Sequence, residues 1–246
     1  MPEPSPSETS PFRHQDYTDS RPRGPHYTLC PGAHPPIGSD AFAKRMDRVG
    51  ACLDAAGVGA IYLVHGTFVG DDAAGVEGEL TRVFPKAGRA ARRAIRQIVD
   101  KLSGEVGNYS GPFAEVFEQS INSPDRPRIP VRRFHWSSEN HHLGRADGAV
   151  RLIHELVRRK PPAGRRILLL GHSHAGNVFA LMTNLLSGNR DAVEQFFKAT
   201  EIYYSWPVVH CVDVPVWIRV RDMLRRSPTA LADVPLDMVT FGTPIR

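Results

Sequence analysis

The hydrophobic residues of this chain fall into four short runs, which alternate with segments of helical spacing. The runs are rich in leucine, β-branched and aromatic residues, as expected for strands that are buried on both faces of a parallel sheet. They cover residues 59–68, 129–137, 165–173 and 235–244. Helical spacing covers residues 40–57, 86–104, 144–160, 175–188, 191–203 and 215–226. This alternation predicts an α/β fold with a mainly parallel sheet covered by helices.

The N-terminal segment has a different composition from the rest of the chain. Residues 1–40 are crowded with proline, serine and charge, and they show no apolar period. Such a segment cannot bury enough surface to offset its chain entropy. We therefore predict a disordered Pro/Ser-rich leader over residues 1–40 and one globular domain over residues 41–246. The first helix is expected to start at a cap, Ser39 or Asp40, and to end at Gly57.

A long connection joins the third and fourth predicted strands. Residues 191–234 have helical character and carry an aromatic cluster at Tyr203, Tyr204 and Trp206. Long insertions between core elements are often lids or binding loops. The pattern is consistent with a lid-like helical insertion and equally with two helices that pack without moving.

Composition and charge narrow the class of protein. The chain is 41% hydrophobic and 23% charged, which is typical of a soluble globular protein. Its net charge is +5, but the arginines form scattered pairs without a nucleic-acid motif, so no nucleic-acid partner is expected. The 3 cysteines are widely spaced, which indicates a reducing compartment rather than a disulfide framework. The apolar runs are too short to cross a bilayer, so we expect no integral membrane segment and a cytoplasmic location.

The sharpest chemical feature lies between the third strand and the helix that follows it. Residues 171–176 read Gly-His-Ser-His-Ala-Gly and join a buried strand directly to an apolar helix. A serine on such a tight turn stands exposed above the sheet, and the helix N-terminus offers backbone N–H groups to a developing oxyanion. Gly171, Ala175 and Gly176 are the small residues that the turn requires, and Ser173 is its exposed residue.

This segment resembles the nucleophile elbow of the α/β-hydrolase family, in particular that of lipase-like and esterase-like members, which usually reads GHSxGG. Ala175 stands where that pattern usually has glycine. GAIYLVHGTF is similar to the strand and His-Gly turn that precede the nucleophile by roughly a hundred residues. LDMVTFGTPIR is similar to the strand after the nucleophile helix. The resemblance covers about residues 58–246 and implies an α/β-hydrolase fold whose last strands are missing.

The resemblance also implies a function, namely a serine hydrolase that acts on an ester or lipid-like acyl substrate without a cofactor or a metal. Ser173 would be the nucleophile. The backbone N–H groups of His174 and of Thr67, or of Phe68 in place of Thr67, would hold the oxyanion. In the family, the catalytic acid and histidine follow later strands, so both are expected beyond Arg246. The chain as given would then be a truncated and nearly inactive form.

Histidines within the chain offer other bases, because a base only has to lie near the serine in space. His210 in the long connection and His135 at a strand end are the two candidates. The histidines that flank Ser173 are expected to point away from its side chain. Asp213 and Asp237 are interpreted as ordinary surface or turn residues.

A metal site is the competing chemical interpretation. His172 and His174 form an H-x-H pair, and His141 and His142 follow another strand end. However, Gly176 stands where metallo-β-lactamase-like hydrolases have a carboxylate, so we predict no metal. The segment HWSSENHH is interpreted as a loop at the mouth of the site, where Trp136 or the histidines contact substrate.

Two further expectations follow from the resemblance. The alternative function is a noncatalytic hydrolase-fold protein, which binds a ligand without turnover. If later strands are missing, the apolar edge around Met238–Phe241 is uncovered. Such an edge favours self-association.

Overall fold

The computed structural model of the chain describes residues 34–67, 109–138, 141–202, 212–227 and 230–244. In chain order, its elements are α1 (Asp40–Ala55), β1 (Val58–Val64), α2 (Gly111–Ile121), β2 (Val131–Phe134), α3 (His142–Arg158), β3 (Arg166–His172), α4 (Ala175–Leu186), α5 (Arg190–Ala199), α6 (Val214–Arg226) and β4 (Leu236–Phe241). The architecture is α/β, as the alternation of patterns predicts. The helix predicted over 86–104 and nearly all of the predicted leader lie outside the described residues.

The four strands form one parallel sheet in the order β2-β1-β3-β4. From β1 the strand order continues to β2 on one side, and from β3 it continues to β4 on the other. In open parallel sheets, ligands bind at the carboxyl ends of the strands where the connections diverge in this way. Here the connections diverge between β1 and β3, which are paired as far as Val64 and Gly171.

Both faces of the sheet are covered by helices. On β1, Ala60, Tyr62 and Val64 face a larger core that is built with α3, α4, α5 and α6. Ile61 and Leu63 face a smaller core that is built with α1 and α2. Burial on both faces explains why β1 is continuously apolar instead of alternating with polar residues. Each buried aliphatic side chain contributes roughly 1.5–3 kcal/mol.

The first helix begins and ends close to the predicted positions. The hydroxyl of Ser39, one of the two predicted caps, accepts a hydrogen bond from the backbone N–H of Phe42 at 3.2 Å. The helical residues end at Ala55, and the chain turns into β1 through Gly57, which has a φ of 80°. Glycine adopts this left-handed conformation without steric cost.

Helix α2 is absent from the elements predicted above. It begins after Ser110, whose hydroxyl accepts from the N–H of Phe113 at 3.3 Å, and proline occupies its first turn. Its packing against α1 is close, since a Cβ on Gly50 would lie 1.8 Å from the carbonyl oxygen of Ile121. Glycine is therefore required where the two helices meet.

The described part of the long connection consists of α5 and α6, which contribute buried side chains to the larger core. The ring of Phe197 packs edge-on against that of Trp217, with centroids 6.0 Å apart. Both side chains are almost fully buried. The aromatic cluster at residues 203–206 lies outside the described residues, and lid-like motion of this segment stays a prediction.

The surface of the described part has a distinct apolar strip on β4. Among the described strands, β4 lies at an edge of the sheet. Met238, Val239 and Phe241 are 38%, 42% and 50% exposed. Within the described ranges, no helix has the length and apolar character that a bilayer crossing requires.

Candidate active site

Ser173 lies between the last residue of β3 and the first residue of α4, in a left-handed backbone conformation with a φ of 53°. Two backbone hydrogen bonds stabilise this turn. The N–H of Ser173 donates to the carbonyl of Phe241 at 2.8 Å, and its own carbonyl accepts from the N–H of Gly176 at 3.2 Å. A non-glycine residue in this conformation costs on the order of 1–3 kcal/mol, and such residues cluster at functional sites.

Small residues surround the serine turn because other backbones and side chains approach it closely. A Cβ on Gly171 would lie 2.6 Å from the ring of Phe179. A Cβ on Gly176 would lie 2.3 Å from the hydroxyl oxygen of Thr243, which follows β4. The steric need for small residues at these positions, which the sequence predicts, is confirmed.

The turn after β1 packs directly against the serine. A Cβ on Gly66 would lie 2.7 Å from the Cβ of Ser173 and 2.9 Å from the carbonyl oxygen of His172. The same Cβ would lie 3.3 Å from the hydroxyl oxygen of Ser173. The structure thus brings the backbone of Gly66 and Thr67 beside the predicted nucleophile, whereas Phe68 lies outside the described residues.

His174 contacts the serine, so the prediction that its side chain points away is wrong. Its Nδ1 lies 3.4 Å from Oγ of Ser173 and 2.8 Å from Oγ1 of Thr67. His174 has helical backbone angles (φ −63°, ψ −7°), and it follows a residue with positive φ. These angles bring its ring back toward the turn after β1, a direction that residue spacing alone does not reveal.

His65 is buried at the end of β1, where its contacts determine its tautomer. The backbone N–H of Trp136 can only donate, and it lies 3.4 Å from Nε2 of His65, so this nitrogen carries no proton in the neutral ring. The proton is then on Nδ1, which lies 3.0 Å from the carbonyl of Gly66 and 3.1 Å from Oγ of Ser138. Burial lowers the pKa of His65 to about 4, so the ring is neutral at pH 7.

Trp136 belongs to the core rather than to the mouth of the site. Its side chain is 0% exposed, and its indole N–H donates to the carbonyl of His65 at 2.8 Å. The prediction that this ring contacts substrate is therefore wrong. Trp136 instead supports the end of β1, because it bonds both the ring and the carbonyl of His65.

Within the described ranges, the hydrogen bonds of Ser173 do not include the other candidate bases and acids. His135 follows β2, and its ring centroid is 6.1 Å from that of His65. Since β1 lies between β2 and β3, the ends of β2 and β3 are about 10 Å apart. Asp237 pairs with Arg166 at 3.1 Å, as expected of a surface residue. His210 lies outside the described residues.

Metal binding has no support from the described part of the chain. Within those ranges, no group of three or more histidine, cysteine, aspartate or glutamate side chains is suited to hold a metal ion. His141 has another role there, because its Nδ1 accepts a hydrogen bond from the N–H of Gly144 at 3.0 Å and caps α3.

Comparisons of the chain with protein-family models, with curated proteins and with solved structures found no match.

Proposed function

We propose that the chain has an α/β-hydrolase fold and is a serine hydrolase, in which Ser173 attacks the carbonyl carbon of an ester or lipid-like acyl substrate. The observation that carries this proposal is the left-handed Ser173, with the backbone of Gly66 packed against it. The strand–turn–helix order matches the way a nucleophile elbow is built. The turn also lies at the carboxyl ends of β1 and β3, where the sheet connections diverge.

Two backbone N–H groups are proposed to hold the oxyanion. His174 is at the N-terminus of α4, where the helix carries a partial positive charge. Thr67 contributes the second group. The carbonyl of Gly66 accepts from His65, and in a planar trans peptide the following N–H, that of Thr67, points the opposite way. Both N–H groups would stabilise the negative charge that develops on the carbonyl oxygen in the transition state. Only interactions that are stronger in the transition state than in the ground state accelerate the reaction.

The proposed reaction proceeds in two halves. Oγ of Ser173 bonds to the carbonyl carbon as its proton passes to a base, and the alcohol of the ester leaves with a proton. Water then attacks the acyl-enzyme, and the acid product leaves as the serine regains its proton. His174 is a poor candidate for the base, because its Nδ1 is closer to Thr67 than to Ser173. We assign the base and the acid to residues outside the described ranges.

One observation favours the alternative function, a hydrolase-fold protein that binds a ligand without turnover. Nδ1 of His174, the imidazole beside Ser173, is hydrogen-bonded to the hydroxyl of Thr67 at 2.8 Å. A serine without an available base stays a weak nucleophile, and the site would then bind an acyl compound without cleaving it.

The test is covalent labelling with a fluorophosphonate probe, followed by intact mass measurement. We expect one adduct on the wild-type chain and none in Ser173→Ala. Ser138→Ala is the matched control, because Ser138 is the other serine of the described ranges with a positive φ (59°) and its hydroxyl also contacts a histidine. Loss of the adduct in Ser138→Ala instead would show that Ser138 is the reactive serine, and no adduct on the wild-type chain would favour the binding protein.

A further inference from the structure

The turns after β1 and β3 are joined beyond the end of the sheet. The strand pairing of β1 with β3 ends at Val64 and Gly171. Past that point, Oγ1 of Thr67 lies 2.8 Å from Nδ1 of His174, and the two residues are 107 positions apart in the chain. These are the same two residues whose backbone N–H groups the proposed function assigns to the oxyanion.

We propose that His174 is a positioning residue whose imidazole fastens the Gly66–Thr67 turn to the Ser173 turn and thereby sets the separation of the two oxyanion donors. The inference rests on the proposed function, and it concerns the side chains of Thr67 and His174 rather than their backbone groups. We call this side-chain hydrogen bond the Thr67–His174 clamp.

The distances favour a clamp over a base. Nδ1 of an imidazole has either one lone pair or one hydrogen, so it serves one hydroxyl at a time. The contact of 2.8 Å with Thr67 is at the ordinary length of a strong hydrogen bond, whereas the contact of 3.4 Å with Ser173 is at the outer limit. A role as base through Nδ1 would require the clamp to open.

The clamp acts together with His65. The ring of His65 holds the carbonyl of Gly66 at 3.0 Å, while His174 holds the hydroxyl of Thr67. The Gly66–Thr67 peptide is thereby anchored on both sides, which fixes the direction of the Thr67 N–H. Oxyanion donors are effective only within about 2.7–3.1 Å of the oxyanion. A misplacement of about 1 Å costs on the order of 100-fold in rate.

The kinetic test compares variants that break the clamp with variants that keep it. Thr67→Val is isosteric but lacks the hydroxyl, and His174→Ala lacks the ring. Thr67→Ser keeps the hydroxyl, and His174→Asn keeps a polar atom near the position of Nδ1. Fluorophosphonate labelling is measured on each full chain and resolved into kinact and KI. We expect kinact to fall about 10- to 100-fold in Thr67→Val and His174→Ala with little change in KI, and to recover most of its value in the conservative variants.

Two kinetic outcomes would overturn the proposal. If His174→Asn is as slow as His174→Ala while Thr67→Val labels normally, His174 is the base. If all four variants label at the wild-type rate, the clamp has no role in the site. Melting temperatures of each variant separate a local change from a loss of fold.

A spectroscopic measurement tests whether the Thr67–His174 hydrogen bond exists, independently of any catalytic activity. The ring nitrogens of His174 are assigned by ¹⁵N NMR in the wild type and in Thr67→Val. We expect the Nδ1 resonance to shift when the hydroxyl is removed, and an unchanged resonance would overturn the clamp. If the wild type is not labelled at all, the proposed function fails and the catalytic role of the clamp fails with it, while the NMR comparison still decides whether the hydrogen bond exists.

Discussion

The indole N–H of Trp217 donates a 2.7 Å hydrogen bond to the carboxyl group of Asp147, and both residues are 0% exposed. Asp147 lies on α3 and Trp217 on α6, so the bond joins the long connection to the body of the domain. The backbone N–H of Asp213 and the guanidinium of Arg151 approach the same carboxyl group at 3.4 Å and 3.5 Å. A buried carboxyl group is costly unless such donors surround it. Helix α6 is therefore held by polar contacts as well as by apolar packing.

Replacement of Trp217 by phenylalanine tests this contact. The variant keeps an aromatic ring but removes the 2.7 Å hydrogen bond to the buried carboxyl group. We expect the free energy of unfolding to fall by about 1–3 kcal/mol in urea titrations. A double-mutant cycle with Asp147→Ala isolates the pair, because Trp217→Phe should cost much less once the carboxyl group is gone. Additive effects of the two changes would show that the bond contributes little.

Gly66→Ala tests the close approach of the two turns. The added methyl group would lie 2.7 Å from the Cβ of Ser173 and 2.9 Å from the carbonyl oxygen of His172, so the turns have to separate. We expect a loss of about 1–3 kcal/mol in stability and at least about a tenfold loss in fluorophosphonate labelling rate.

Gly188→Ala is the matched control for that change. Gly188 has a φ of 80°, and apart from its chain neighbours no atom of the described residues lies within 4 Å of an added Cβ. Its replacement should cost about 1–2 kcal/mol through backbone strain alone, without any loss of labelling. If Gly66→Ala labels as fast as Gly188→Ala, the backbone of residue 66 does not shape the reactive site.

Much of the fold follows from local sequence patterns. The four strands and the helices at 40–55, 142–158, 175–186, 190–199 and 214–226 lie within a few residues of their predicted positions, because hydrophobic period and caps are local properties. Helix α2 was not predicted, although Ser110 and the proline that follows it are typical of a helix start. Its first two residues are glycine and proline, which are poor helix formers and are more typical of a turn.

The candidate site is less predictable than the fold. The serine turn is predictable because a strand, small residues and a helix adjoin one another in the sequence. The contacts of His174 are not predictable from the sequence. The direction of its ring depends on the positive φ of Ser173 and on the hydroxyl of Thr67, which is 107 positions away in the chain. The pair formed by Asp147 and Trp217 is equally invisible, since its members are separated by 70 positions and meet only through packing.

The buried ring of His65 predicts a dependence of stability on pH. Its pKa is about 4 in the folded chain, because burial disfavours the charged form, against 6.5 when it is unfolded. Between these values the unfolded chain binds more protons than the folded chain, so this contribution to stability is complete above pH 6.5 and is lost as the pH falls toward 4. The loss between pH 7 and pH 5 should be about 2 kcal/mol.

His65→Gln isolates this contribution from that of the other histidines. Urea titrations of both proteins at pH 7 and pH 5 give the pH dependence of each free energy of unfolding. We expect the variant to be less stable at pH 7 but to lose less stability on acidification. An identical loss in both proteins would mean that His65 is protonated in the folded chain at pH 5.

The exposed strip on β4 predicts self-association. Strand β4 lies at the edge of the described sheet, and the side chains of Met238, Val239 and Phe241 are exposed there. Exposed apolar edges of this kind pair with other chains unless a charge interrupts them. We expect sedimentation velocity to show an apparent mass that rises with concentration, and Val239→Lys to reduce that rise. Val49→Lys is the control, because Val49 is similarly exposed, at 38% against 42%, but lies on α1. If both lysine variants reduce association equally, general charge repulsion is responsible, and the edge of β4 is not the contact.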